Sequence, residues 1–349
     1  MDSTMTALKG VSVTGAIRLA SSRTGPALYM ASTGPQTPNA APYYEFATTL
    51  APVPFEGSAS SMPTIVVPQP LSPPPAFDIC FLADGTLDVA YQVFGGAWNE
   101  LQVNSAGGGA LKPLYGYAAN DCGRPRFVRD TSSTGATTVA VTTTLDYQNV
   151  ALLIPGTTET DGTVNVITTN LVSAAACVAF ADLSGSTTAN LSLVYKTDRK
   201  AAPLSPGNLF LGKLALAGFD LGRKTLGTPV PLVPDVELAE FDVAYQDGLY
   251  CLIATTGDGL PLLAVFDAAG KPVGDAYLPF GAWNNPRGWV TSPTIVADPA
   301  AFTNGALKFD FAFVEMDGDT PTGVLVSSIG ATPKGGVTPA PQNGAAPAA

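Results

Sequence analysis

Short strand-like phrases recur along this chain at intervals of roughly 50 to 65 residues, so one structural unit is used several times. The plainest pair is Pro63-Thr64-Ile65-Val66 and Pro293-Thr294-Ile295-Val296. Each is followed by a second phrase of the same grammar, Phe77-Asp78-Ile79-Cys80-Phe81 and Phe309-Asp310-Phe311-Ala312-Phe313. These run into Asp-Gly turns at Asp84-Gly85 and Asp317-Gly318. With 36 Gly and 31 Pro, turns are frequent. No window keeps an i, i+3, i+4, i+7 apolar pattern across three turns, so no long helix is expected.

Repeats of this period and strand content predict an all-β fold, and within that class a β-propeller as a single domain over residues 1–331. The first strand of each unit is placed at Pro63 to Val67, Arg124 to Arg129, Ala175 to Asp182, Phe241 to Gln246 and Pro293 to Asp298. The clearest unit reads Phe241 to Gln246, a turn at Asp247-Gly248, Leu249 to Thr256, a turn at Gly257-Asp258-Gly259, Leu260 to Asp267, a turn at Ala269-Gly270, and Lys271 to Leu278. Its third strand is apolar almost throughout, as expected of a sheet covered on both faces. Three earlier candidates, Val11 to Ala20, Pro26 to Ser32 and Tyr43 to Leu50, either form a sixth blade or lend a strand to the last blade, whose third strand is Gly323 to Ile329. Six blades are favoured over five with an N-terminal extension. Joining the ring through the N-terminal strand would leave no exposed terminal sheet edge. Residues 332–349 are Gly, Pro and Ala with almost no core former, and are expected to be disordered. One conflict stands: Leu87-Asp88-Val89-Ala90-Tyr91-Gln92 matches Phe241-Asp242-Val243-Ala244-Tyr245-Gln246, yet the first is placed as a third strand and the second as a first.

The net charge of −11, with Lys and Arg scattered, argues against nucleic acid and anionic membrane surfaces as partners. No run of 18 apolar residues exists, and Met1-Asp2-Ser3-Thr4 lacks the basic then apolar pattern of an export signal. The expectation is a soluble chain without membrane insertion, its compartment left open. The absence of histidine excludes Ser-His-Asp and Cys-His catalysis, histidine-held metals and an imidazole pH switch. Cys80, Cys122, Cys177 and Cys251 fit neither a zinc site nor a redox CxxC, and three of them read as buried thiols. No cofactor and no metal are expected; Met316-Asp317-Gly318-Asp319 and Thr160-Asp161-Gly162-Thr163 supply too few oxygens for calcium and read as turns.

A second echo, Phe94-Gly95-Gly96-Ala97-Trp98-Asn99 and Phe280-Gly281-Ala282-Trp283-Asn284, contains two of the three tryptophans, and Trp289 follows. A Trp flanked by Gly and Asn on a turn offers a flat apolar face with amide donors beside it, a surface on which a sugar ring stacks. The packing alternative is that Trp98 and Trp283 fill gaps between blades. The stretch from Asp84-Gly85-Thr86 through Trp98-Asn99-Glu100-Leu101 resembles a blade of the β-propeller lectins, in which an Asp-Gly hairpin leads to a W-x-x-L strand. The resemblance implies a glycan ligand, although the other blades lack a matching Trp.

Arg124, Arg126 and Arg287 stand just ahead of expected first strands and could point into a shared mouth that attracts an anionic group, or form surface or inter-blade salt bridges. Asp78, Asp242 and Asp310 each follow Phe in a strand. Repeated carboxylates could line a central channel as acid and base, provided two stand about 5 to 10 Å apart. The structural alternative is that each accepts backbone N–H bonds at a blade junction.

These residues support three functional classes. The first is a binding or interaction protein whose small-molecule or glycan ligand sits on loops at one face, using Trp98, Asn99, Trp283, Asn284, Arg287 and Trp289 with Arg124 and Arg126. The second is a histidine-free enzyme, a carboxylate-based glycoside hydrolase or lyase or a natural-product cyclase, using Asp78, Asp242 and Asp310. The third is a structural subunit of an assembly.

Overall fold

The computed structural model describes residues 6–7, 17–22, 25–35, 46–53, 65–67, 77–81, 87–92, 98–103, 109–115, 126–128, 139–143, 149–153, 165–168, 190–197, 200–201, 210–220, 225–274, 278–279, 288–303, 306–332 and 336–339. Among these residues all regular structure is β, and no helix is long and apolar enough to cross a membrane.

The strands form antiparallel sheets, mostly of consecutive strands. Sheet I contains Ile17–Ser22, Gly25–Pro35, Phe46–Val53 and Ile65–Val67. Sheet II contains Phe77–Phe81, Leu87–Gln92, Trp98–Val103 and Gly109–Tyr115. Sheet III contains Arg126–Val128, Val139–Thr143, Asn149–Leu153 and Asn165–Thr168. Sheet IV joins Asn190–Lys196 to Leu214–Asp220, which also pairs with Thr225–Leu226 and Val230–Pro231. Sheet V contains Leu238–Gln246, Leu249–Thr256, Pro261–Asp267 and Leu278–Pro279. Sheet VI contains Gly288–Thr303, Ala306–Asp317 and Thr320–Thr332. The outer edge of Thr320–Thr332 takes two short partners from the ends of the chain: Thr6–Ala7 opposite Leu325 and Val326, and Gly336–Pro339 opposite Ile329 to Thr332. Gly336–Pro339 lies within the stretch expected to be disordered.

Local chemistry explains the hairpins of sheet V. Asp247 and Gly248 both have positive φ, 46° and 85°, the geometry of a two-residue turn whose twist matches its strands. At the next hairpin on the same side, the Asp267 carboxylate accepts the Ala269 and Lys271 N–H groups, each at 2.9 Å, and closes the turn itself. The fourth strand differs from expectation: Lys271 to Leu278 is not continuous, a single bridge joins Pro272 to Phe266, and pairing resumes at Leu278–Pro279.

Three echoes in the sequence are not structural equivalents. Ile65–Val67 is the last strand of sheet I, paired with Thr48 to Leu50, whereas Thr294 to Val296 lie in the first strand of sheet VI. Leu87–Gln92 is a second strand and Phe241 to Gln246 belong to a first, which resolves the conflict between them. Phe77–Phe81 likewise opens its sheet, while Phe309 to Phe313 sit in a second strand. Composition reports that a segment is a half-buried or buried strand, but its partners decide which strand it is. The expected first strand Ala175 to Asp182 lies outside the described residues.

Alternation within strands builds the seams between sheets. In Leu249–Thr256, Leu249, Cys251 and Ile253 pack toward sheet VI with Phe309, Phe311, Phe313 and Leu325. Tyr250, Leu252 and Ala254 pack toward sheet IV with Val194, Leu214 and Leu216. The other face of sheet VI, with Val296, Ala312, Val314 and Val326, meets Ile17, Leu19, Leu28 and Met30 of sheet I. Burial on both faces is the reason these strands are apolar almost throughout.

Candidate functional site

Among the described residues a first strand is paired on one side only, so the main-chain groups of its inner edge need other partners. Polar side chains from neighbouring sheets supply them. From sheet V, the Glu240 carboxylate accepts the Ser292 N–H of sheet VI at 2.8 Å and the Thr291 hydroxyl. Asp242 accepts the Ile295 N–H at 3.0 Å through one oxygen and its neighbour Val243 N–H at 3.1 Å through the other. From sheet VI, the Thr294 hydroxyl accepts the Leu19 N–H of sheet I at 2.8 Å. From sheet I, the Arg18 guanidinium donates to the Phe77 carbonyl of sheet II at 3.1 Å and back to the Pro293 carbonyl of sheet VI at 3.3 Å. Lys196 of sheet IV donates to the Ala239 carbonyl of sheet V. Arg18, Lys196, Glu240, Asp242 and Thr294 are all buried, and these bonds offset the cost of desolvating them.

The same bonds fix relative direction. Glu240 meets Ser292 and Asp242 meets Ile295, so the first strands of sheets V and VI run the same way; Arg18 at Pro293 and Leu19 at Thr294 extend this to sheet I. The ends at which these strands begin therefore share one rim. There, Gly288–Thr303 bulges between Thr291 and Thr294, and Ser292 adopts a left-handed φ of 52°, held by Glu240.

Trp289 stands at this rim. Its indole N–H donates to the Gly318 carbonyl at 2.7 Å, and the following N–H, of Val290, donates to the Gly259 carbonyl at 2.9 Å. A Cβ added at Gly259, whose φ is +77°, would lie 2.4 Å from the Trp289 Cβ, so only glycine lets the sheet V turn approach this closely. Of the other residues expected at a binding face, Trp98 and Asn99 open the third strand of sheet II and Arg126 opens sheet III, the equivalent strand ends of their own sheets. Arg124, Trp283, Asn284 and Arg287 lie outside the described residues.

The three aspartates are not brought together in equivalent places. Asp78 and Asp242 are on first strands and Asp310 is on a second. Asp310 is fully buried, 3.0 Å from the Lys308 ammonium, which also lies 3.6 Å from Asp298, and it accepts the Ser328 hydroxyl. Burial pushes its pKa above the ordinary carboxylate range, with Ser328 and Lys308 opposing that shift in part. Burial also pushes the Tyr91 hydroxyl up to about 12 and raises the Cys251 thiol, leaving that thiol inert. Among the described residues no cluster of three or more acidic or thiol side chains is placed to hold a metal ion.

Sequence reasoning passed over Arg18, Lys196 and Glu240. The available signal was a charge set inside an apolar phrase, as in Ile17-Arg18-Leu19 and Val194-Tyr195-Lys196. A solvent-facing strand residue has the same signature.

No protein-family model matches the chain, and no curated protein matches it. Among solved structures, the SapL1 lectin in complex with α-methyl fucoside is similar at a TM-score of 0.50 and 10% identity, over 93% of this chain and 98% of that one. The GH43_1 enzyme from Xanthomonas citri complexed with xylotriose gives 0.42 and 12%, over 99% and 97%. Prolyl oligopeptidase B from Galerina marginata gives 0.37 and 10%, over 85% of this chain, which spans 38% of that one. At such identities the likeness to the lectin is one of fold alone.

Proposed function

We propose that this chain is a glycan-binding protein, a propeller of six blades whose ligand sits at the rim where the first strands begin. Sheets I to VI are the blades. The observation that carries the site is Trp289, a tryptophan locked at that rim by Gly318 and Gly259; Trp98-Asn99 and Arg126, which open strands in their own sheets, are assigned to the same face in this reading. An anchored indole loses little freedom when a sugar ring stacks on it. Trp98, Asn99, Trp283, Asn284, Arg124, Arg126 and Arg287 complete the binding face in this reading. That a lectin solved with α-methyl fucoside shares the fold supports the choice of glycans as ligand class.

The blade count rests on direction. Lys196, the last residue of Asn190–Lys196, reaches Ala239, near the beginning of Leu238–Gln246, and Leu238 bonds reciprocally with Gly212. Asn190–Lys196 therefore ends where a first strand begins, which is the direction of a second strand. In this reading sheet IV is one of the six blades, with the expected strand Ala175 to Asp182 proposed for its first place.

A glycan array probed with the full chain and with Trp98→Ala, Trp283→Ala and Trp289→Ala tests the reading. Binding that is lost in at least one variant is expected; no glycan signal, or signal indifferent to all three changes, refutes it.

A further inference from the structure

We propose that Glu240 is a positioning residue for the binding rim, holding the bulge in Gly288–Thr303 that turns Trp289 onto the sheet I side. The inference rests on the glycan-binding reading and adds to it a residue that touches no sugar. Trp289 pairs with Met316 and Thr294 with Ala312, so five steps along one strand match four along its partner. One extra residue in a strand reverses the face of every side chain beyond it. Trp289 accordingly packs with Met316, Val314 and Ala312 on the side of sheet I. Unbroken alternation back from Val296 and Thr294 would turn it instead toward sheet V, the side on which its neighbour Val290 packs with Phe313. Ser292, at the bulge, takes a left-handed φ of 52°, a strained conformation for a residue with a Cβ. It is buried and outside the pairing register, so its N–H needs an acceptor; Pro293 beside it has no N–H to satisfy. The buried Glu240 carboxylate supplies that acceptor: one oxygen takes both the Ser292 N–H, at 2.8 Å, and the Thr291 hydroxyl. From the opposite flank, Arg18 donates to the Pro293 carbonyl at 3.3 Å. Strained residues persist where their surroundings over-determine them, and bulges beside functional sites re-aim a side chain. Here the side chain re-aimed is the indole three positions before Ser292.

The chain has three tryptophans, so Trp98→Phe with Trp283→Phe leaves Trp289 as the sole indole emitter. In that background, Glu240→Ala should shift the emission to the red and raise its quenching by acrylamide. Glu240→Gln should keep the parent spectrum, because both bonds end on a single oxygen and an amide oxygen can accept them. Unmoved emission in Glu240→Ala, or an equal shift in Glu240→Gln, overturns the assignment. If Glu240→Ala does not fold, Thr291→Val, which removes only the hydroxyl bond, is read in its place: a smaller red shift supports the role, and none overturns it. With all three tryptophans present, Glu240→Ala should lose on the glycan array the signals that Trp289→Ala loses, and Glu240→Gln should keep them. Signals retained by Glu240→Ala overturn the positioning role. An array blank for the unmodified chain refutes the binding reading, while the emission comparison, which uses no glycan, still decides whether Glu240 positions Trp289.

Discussion

The two faces of sheet VI show how one strand can be built for two purposes. Toward sheet V, Phe309, Phe311 and Phe313 with Leu325 and Ile329 form an apolar seam. Toward sheet I, the alternate residues Ala312 and Val314 continue an apolar seam, but beside them Asp310, Lys308, Asp298 and Ser328 place charge in the interior. The phrase Phe-Asp-Phe-Ala-Phe writes both seams at once. Shape complementarity holds the first, whereas the second depends also on protonation and on bonds between particular partners.

The largest expected effect comes from the apolar side. Phe311 is fully buried, and Phe311→Ala should cost about 3 to 5 kcal/mol in denaturant unfolding. A much smaller loss would mean that sheets V and VI are not packed through this face. Next, Asp242→Ala removes the acceptor of the Ile295 N–H and should cost about 1.5 to 3 kcal/mol, with faster hydrogen exchange at the Ile295 amide. The enzyme reading separates here too: Asp242→Asn that abolishes a measured glycoside hydrolysis while leaving the fold intact would assign the carboxylate to chemistry. Gly259→Ala forces a left-handed φ on a residue with a Cβ and drives that atom into Trp289, at a cost of about 1 to 2 kcal/mol from the backbone alone, with a shift in tryptophan emission. An unchanged spectrum would contradict the close approach.

The smallest effect concerns the charged side and is a matter of pH. Because burial raises the folded-state pKa of Asp310, its contribution favours the fold below the ordinary Asp value of about 3.9 and is lost as pH rises through the raised value. Asp310→Asn removes that dependence. The stability of the variant relative to the parent should therefore rise with pH across that window, and a flat difference would show that Lys308 fully compensates the burial.

Much of this was legible in the residues. Asp247-Gly248 between two alternating runs announces a hairpin, and the continuous apolar phrases announce sheets covered on both faces. Strand identity was not legible, because Leu87–Gln92 and Phe241 to Gln246 share a pattern of period two that every half-buried strand carries. The inner-edge bonds were hidden for a different reason. Asp242 and Glu240 find partners 53 and 52 residues away, at Ile295 and Ser292, and such pairings arise only once the first strands lie side by side. Trp289 was legible as a tryptophan near a turn, but its anchoring depends on Gly259 and Gly318 from two other hairpins.

An experimentally determined structure of the boundary between sheets III and IV tests the arrangement most directly. Ala175 to Asp182 paired alongside Asn190–Lys196, with sheet III packed against it and six sheets in a circle about the first strands, is the expected result. Sheets III and IV lying in separate stacked layers, or Asn190–Lys196 standing innermost in its sheet, would contradict it.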